Sequence, residues 1–386
     1  MRPIVSTERV VGLDVARALA LLGMMATHIL PGIDGGEVSL SHHLAGGRAS
    51  ALFAVLAGVS IALMSGRRAP QHGQSRVATS AGLAVRAGLI ATVGLVLGEL
   101  DSGIAVILTY YGLLFLLAIP FLGLRARSLA ALSVVWLVAA PVVSQLLRPH
   151  LPPPSYANPT FESLTDPWQL LTELTFTGYY PVVPWLAYLF AGMALGRVDL
   201  ARWSTTVRVI AIGAAAALTA WFVSGRIVAS PEVRSTLTDT FTGVGWQGSL
   251  DTTLDHGLYG TTPTGSWWWL AVDTPHTATP FDLAHTIGTS LLAIGVCLAA
   301  GKVAPNLLAV VFGAGAMTLT LYSAHVALRT DGWWDGDTLG TYFGQVAAVL
   351  LVGAAYRLAR RRGPLESAVG EVQAAVTRAA APTPRR

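Results

Sequence analysis

The sequence predicts an all-α, polytopic integral membrane bundle of about ten spans, and three observations carry that expectation. Hydrophobic residues make up 53% of the 386 positions and charged residues only 12%, where a typical soluble domain is roughly one quarter charged. Apolar runs recur along almost the whole chain, each near the length that a helix needs to cross hydrocarbon. The arginines and lysines gather in alternate turns between those runs, as short cytoplasmic loops do.

Taken in order, the first run covers about 11–31 and carries Asp14, Arg17 and His28 within apolar sequence. The second, about 49–65, is the small-residue stretch ASALFAVLAGVS and its continuation; the third, about 79–98, holds Arg86 and ends in GLVLG. The fourth, about 103–123, contains TYYGLLFLLAIP, which puts Tyr110 and Tyr111 where tyrosines anchor a span at the interface. The fifth and sixth lie at about 128–147 and 181–196, the sixth closing on AGMALG. The seventh and eighth lie at about 206–225 and 283–301, and the eighth encloses Cys297. The ninth, about 305–328, runs through VFGAGA to His325, and the tenth covers about 338–356. The glycine and alanine clusters predict close helix packing.

With the N-terminus inside, the inner turns hold Arg67, Arg68 and Arg76, then Arg125 and Arg127, Arg197 and Arg202, Lys302, and finally Arg357 and Arg360 to Arg362. The outer turns hold Asp34 and Glu37, Asp101, Glu162 and Asp166, and the acidic residues of later loops. Residues 1–362 therefore read as one transmembrane domain with external loops at 32–48, 148–180 and 226–282. Residues 363–386 read as a cytoplasmic tail with a short surface helix to about 379 and a disordered end. Loops of that size imply an external cap or vestibule, and Trp267, Trp268 and Trp269 read as interfacial anchors.

Several function classes drop out. The net charge of +4 is dispersed around the spans rather than striped with aromatics, which excludes nucleic acid as a partner. A single cysteine supports neither a disulfide framework nor a thiolate metal site. No HExxH or nucleotide-loop motif occurs, so no metal is expected.

The polar residues inside the apolar runs carry the chemistry, because such groups normally face a cavity or the bundle interior. Arg17 and His28 are eleven positions apart, about 16 Å of helical rise, which places them on nearly one face at different depths; Asp14 lies one turn before Arg17. Arg17, with Arg86, is a candidate anion ligand, and His28 a candidate proton handler. His42 and His43 precede GGR in the first external loop, and His43 is the preferred catalytic base, with His42 orienting it or touching substrate. His276, Asp282 and His325 are candidate substrate contacts at the outer ends of later spans, with a local helix-end network as the alternative.

These stretches resemble a known family. RVVGLDVARALALLGMMATH at 9–28, HHLAGGRASALFAVLAGVS at 42–60, YYPVVPWLAYLFAGMALGR at 179–197, GAGAMTLTLYSAH at 313–325 and GPLE at 363–366 are similar to the membrane acetyltransferase superfamily containing heparan-alpha-glucosaminide N-acetyltransferase, especially bacterial DUF1624 and DUF418 homologues. The Arg17-to-His28 spacing also resembles the arginine, ten residues, histidine pattern of broader membrane acyltransferases. The resemblance implies acetyl-CoA approaching from the cytoplasm, its phosphates on Arg17 with Arg86 and Asp14 nearby. It implies an extracytoplasmic amino sugar, glycan or glycolipid acceptor, and a histidine of the first external loop as catalyst. It further implies a bacterial cytoplasmic membrane location, with membrane lipids around the chain and a homodimer as an allowed assembly. The lysosomal branch has Asn where this chain has His28, and lacks the match around SLSHHLAGGRAS, which weakens heparan itself as the carried-over substrate. The alternative function is a transporter or flippase for an anionic lipid or small metabolite, since a polar helix face and a vestibule also serve alternating access; a noncatalytic membrane assembly component ranks third.

Overall fold

The computed structural model describes residues 9–241, 248–330 and 332–381. Part of the third external loop, at 242–247, and the end of the tail expected to be disordered, at 382–386, lie outside the described residues.

Among the described residues the regular structure is helical apart from one hairpin of two-residue strands, β1 (Ile33–Asp34) and β2 (Glu37–Val38), in the first external loop. The helices in order are α1 (Val11–Ile29), α2 (Leu40–Ala45), α3 (Arg48–Met64), α4 (Gly73–Gly98), α5 (Leu108–Ala118), α6 (Ala126–Leu147), α7 (Pro167–Thr172) and α8 (Val182–Gly196). They continue with α9 (Trp203–Val228), α10 (Pro231–Asp239), α11 (Leu250–His256), α12 (Pro280–Val303), α13 (Pro305–Val311), α14 (Thr318–Leu328), α15 (Leu339–Leu358) and α16 (Pro364–Ala379). Among the described residues, seven stretches are long and apolar enough to cross a membrane: Val11–Ile29, Leu40–Met64, Gly73–Gly98, Ala126–His150, Trp203–Val228, Pro280–Val303 and Leu339–Leu358. The chain is thus a multi-span membrane protein. Leu108–Phe121 and Val182–Gly196 are apolar but shorter.

Helix α8 is apolar on all sides and buried almost throughout, with Trp185, Phe190 and Met193 at its core, which is the pattern of a helix enclosed by others. It lies against α3, where Gly58 and Gly192 let the backbones meet; a Cβ at Gly192 would overlap the Val55 carbonyl. The small-residue runs do the packing work expected of them.

Three expectations are corrected. The ninth expected span is not one helix: α13 ends at Val311, a 3-10 turn follows at Gly313–Ala316, and α14 begins at Thr318. The cause is crowding, since Gly315 packs on the backbone of Asp14 in α1 and Gly313 on Gly353 in α15, approaches that an unbroken helix bearing side chains would not allow. The fourth span begins at Leu108 rather than 103, because Asn158 accepts from Val106 N–H (2.7 Å) and donates to the Ile104 carbonyl (2.7 Å), holding 104–106 extended. Tyr110, Tyr111 and Trp269 are not interfacial anchors. Both tyrosines are buried in the main core, and Trp269 is fully enclosed in a second, smaller core with Val233, Leu237 and Leu258, its indole donating to Thr240 Oγ1.

That second core makes the described parts of 226–282 a folded cap over the histidine end of the bundle. At the opposite end α16 lies along α4, with Gly82 against Thr377 and Arg86 bonded to Gln373. Glu366 accepts from the backbone N–H groups of Leu319 (2.7 Å) and Thr320 (3.1 Å), capping the helix that the ninth-span break creates.

Candidate active site

A chain of cavities runs through the bundle, with arginines at one end and histidines at the other. At the arginine end a cleft of about 930 Å³ lies between α15, α16 and the break before α14. Among the described residues seven arginines line it, including Arg86, Arg357 and Arg360 to Arg362, with Glu366 as the one lining carboxylate. Arg357 keeps Nε and Nη2 buried without a hydrogen-bond partner, and Arg86 keeps Nε so. Buried guanidinium N–H groups left unmatched suit an anion with several acceptor oxygens.

Arg86, Glu366, Met64 and Ala316 also line the next chamber, about 280 Å³, whose walls are mainly apolar: Met24, Phe53, Leu56, Ile90 and Phe115. Arg17 opens into this chamber while its guanidinium is bonded to Asp14 (3.0 Å) and Ser60 Oγ (2.9 Å). Asp14 lines none of these cavities; it sits between Arg17 and Arg9 (2.5 Å) and fixes both. Met24, Ile107 and Tyr322 then lead to a narrow neck of about 30 Å³ that His28, His276 and Tyr180 share with the final cavity. That cavity, about 340 Å³, is lined by His28, His42, His256 and His276 with Tyr179, Tyr180 and Tyr259.

His28 stands at the end of a polarised chain. Gln345 donates its amide N–H to the Trp334 carbonyl (3.0 Å), so its oxygen faces His325 Nδ1 (2.8 Å) and accepts from it. A neutral His325 then has only a lone pair at Nε2, which receives the N–H of His28 Nδ1 at 3.1 Å. That leaves the lone pair of His28 on Nε2. His325 is buried, lines none of these cavities and stands behind His28.

His276 is poised the other way. Its Nε2 accepts the Gly47 N–H (3.2 Å), which puts the proton of the neutral ring on Nδ1. Burial first, then the neighbouring His42, pushes its pKa down to about 4. The residue sits at φ +58°, strained for a side chain with a Cβ, and Ala278 at +52°. Asp282 sustains that bend by accepting from Thr277 N–H (3.1 Å) and Ala278 N–H (2.9 Å); it is buried and lines none of these cavities.

His42 and His43 separate. His42 lines the cavity, its ring 4.9 Å from that of His256 and its Nδ1 near Ser39 Oγ (3.3 Å). His43, one step around α2, is exposed and lines none of these cavities; its carbonyl receives Arg48 (2.7 Å). Of the two first-loop histidines, His42 is thus the one that faces the cavity. Among the described residues the imidazoles do not converge as a metal-binding group of three or more.

Sequence reasoning missed His256, Gln345 and the tyrosine wall. Gln345 left a signal, a lone amide inside the apolar LGTYFGQVAAVLLVG. His256 left none, since a Gly after a histidine in a loop points nowhere; burial, then His42 and His276, lowers its pKa to about 4.

A family model described as heparan-alpha-glucosaminide N-acetyltransferase, catalytic, matches residues 9–228, more than half of the chain. Comparison with curated proteins gives no match.

Proposed function

We propose, from the premise that this chain belongs to the heparan-alpha-glucosaminide N-acetyltransferase catalytic family, that it is a transmembrane acyltransferase working across the cavity chain. The donor is acetyl-CoA, taken from the arginine end; the acceptor is an amine or hydroxyl of an extracytoplasmic amino sugar, glycan or glycolipid, received at the histidine end. The observation that carries this reading is the His28 Nε2 lone pair, held by Gln345 and His325, at the neck where the two halves of the route meet.

The arginine distribution supports an orientation with both described ends in the cytoplasm. Arg357, Arg86 and the Arg360 to Arg362 run would hold the phosphates, the unmatched N–H groups of Arg357 and Arg86 fitting a polyanion. The apolar chamber past Arg17 suits a slender arm. When bound, an acyl-CoA supplies a thioester, an acyl group with a good thiolate leaving group.

His28 Nε2 takes the proton from the acceptor nitrogen or oxygen, and His325 and Gln345 steady the imidazolium that results. His276 Nδ1–H donates to the negative oxygen that develops as the acyl group changes hands. The new amide or ester forms as the carbon–sulfur bond breaks, and His28 returns its proton to the departing thiolate. His42 and His256 flank the acceptor on the outer side, and the tyrosines give it apolar faces. The expected setting is a bacterial cytoplasmic membrane.

Purified protein in lipid vesicles, given acetyl-CoA labelled in the acetyl group and an amino-sugar acceptor, should release CoA and label the acceptor. His28→Ala should abolish both. Full transfer by that variant removes His28 from the base role, and movement of substrate across the vesicle without CoA release replaces transfer by transport.

A further inference from the structure

A second cavity lies outside the route, between α6 and α9, with α8 and α12 as its floor. Its volume is about 730 Å³ and its walls are apolar, with Val134 67% and Ile212 60% exposed on opposite sides. The two walls pack on α8 and α12 rather than extensively on each other. From Ser204 to Ala216 on α9 the groove is about 18 Å deep at 1.5 Å of rise per residue, slightly more than half of a hydrocarbon core of about 30 Å.

Its mouth is charged on one side only. Arg68, Arg127, Arg202 and Arg208 ring it, and Asp199 is the single carboxylate among its lining residues. Asp199 is already shared by Arg68 (3.2 Å) and Arg202 (3.2 Å). Arg127 and Arg208, exposed in the first two turns of the two walls, make no hydrogen bond or ion pair with any described residue. Arg197 behind them adds a buried positive charge held by carbonyls of Ala62, Ser65, Arg67 and Leu122. At least three positive charges thus go unneutralised above an apolar slot as deep as one leaflet, at the arginine end of the bundle.

We propose that this groove is a binding site for an anionic phospholipid of the surrounding bilayer. The phosphate would rest between Arg127 and Arg208, and one acyl chain would fill the slot between α6 and α9. Charge complementarity and depth together select a lipid: a soluble anion would leave the slot empty, and a zwitterionic headgroup would bring its own cation to the arginines.

The test is native mass spectrometry of the full chain extracted in mild detergent and offered phosphatidylglycerol, phosphatidylcholine or inorganic phosphate. One phosphatidylglycerol should stay bound per chain. Arg127→Gln with Arg208→Gln should lower that retention at least fivefold, and Ala130→Trp, which fills the slot and keeps every arginine, should do the same. Arg125→Gln, two residues away and outside the groove, should leave it unchanged. Each variant is compared at equal monodispersity and melting temperature, so that loss of fold is not read as loss of lipid. Equal retention of phosphatidylcholine, displacement of the lipid by inorganic phosphate, or undiminished binding in either groove variant overturns the proposal. It does not depend on the acyltransfer reading, since no turnover is measured.

Discussion

The two ends of the cavity chain are built on opposite principles. At the arginine end charge is plentiful and partly unmatched: seven arginines line the cleft against Glu366, and Arg357 keeps two N–H groups without an acceptor. At the histidine end the candidate proton-handling rings, His28 and His276, each have one nitrogen already committed to a partner. A donor carrying several negative charges needs the first kind of site, where long-range attraction and multiple donors give affinity. Proton transfer needs the second, where the tautomer matters more than the charge. Damage at one end should therefore appear in donor binding, and damage at the other in turnover.

The largest effect expected is at His28. His28→Ala should lower kcat by about 10²–10⁴-fold, the usual range for a general base, with the dissociation constant for acetyl-CoA unchanged; a parallel loss of donor binding would break the division of labour. His43→Ala, by contrast, should retain near-full activity, because that ring is exposed and outside the cavities.

Gln345→Leu comes next. It removes the acceptor that fixes His325 and hence the tautomer of His28, so kcat should fall about tenfold or more, on the order of the 1–3 kcal/mol of one unsatisfied buried group. KM for the donor should hold. Gln345→Glu keeps an acceptor and should restore most of the rate; if it does not, the oxygen of Gln345 is not what orients the imidazoles.

At the other end, Arg357→Ala should raise KM for acetyl-CoA by about 10–100-fold, matching a charge-assisted hydrogen bond of about 1.5–3 kcal/mol, and leave kcat nearly untouched. Added salt should weaken donor binding in the parent more than in the variant.

The smaller effects concern stability. His256 and His276 have pKa values lowered to about 4 from 6.5 in the unfolded chain. Between those values the unfolded state binds more protons, so their contribution is intact above pH 6.5 and is lost as pH falls toward 4. Thermal inactivation should accelerate over that window, and His276→Asn should flatten the dependence. Glu366→Ala should cost about 0.5–2 kcal/mol as a lost helix cap, read as a lower melting temperature and faster proteolysis of α16.

Much of this architecture was legible in the chain because a bilayer imposes strict conditions on a sequence. Backbone polar groups must be satisfied internally and apolar runs must span hydrocarbon, so composition and spacing alone mark the helices. Arg17 and His28 were legible for the same reason: polar groups in apolar helices are costly and seldom idle. The cavity chain does open at both, Arg17 in the apolar chamber and His28 at the neck.

What only the tertiary structure decided depends on which side chains meet across distant elements. The choice between His42 and His43 turns on 100° of helix rotation in α2, to which two adjacent identical letters give no clue. The break at Gly313–Ala316 comes from the crowding of α1 and α15 against it, and the N-terminus thereby exposed is what Glu366 caps, 46 residues from Thr320. His28, His325 and Gln345 stand on three helices, and the first two are separated by 297 positions. Local sequence fixes whether a segment crosses the membrane, because that depends on its own transfer free energy; a proton path depends on hydrogen bonds of about 3 Å between segments, and those exist only once the bundle has packed.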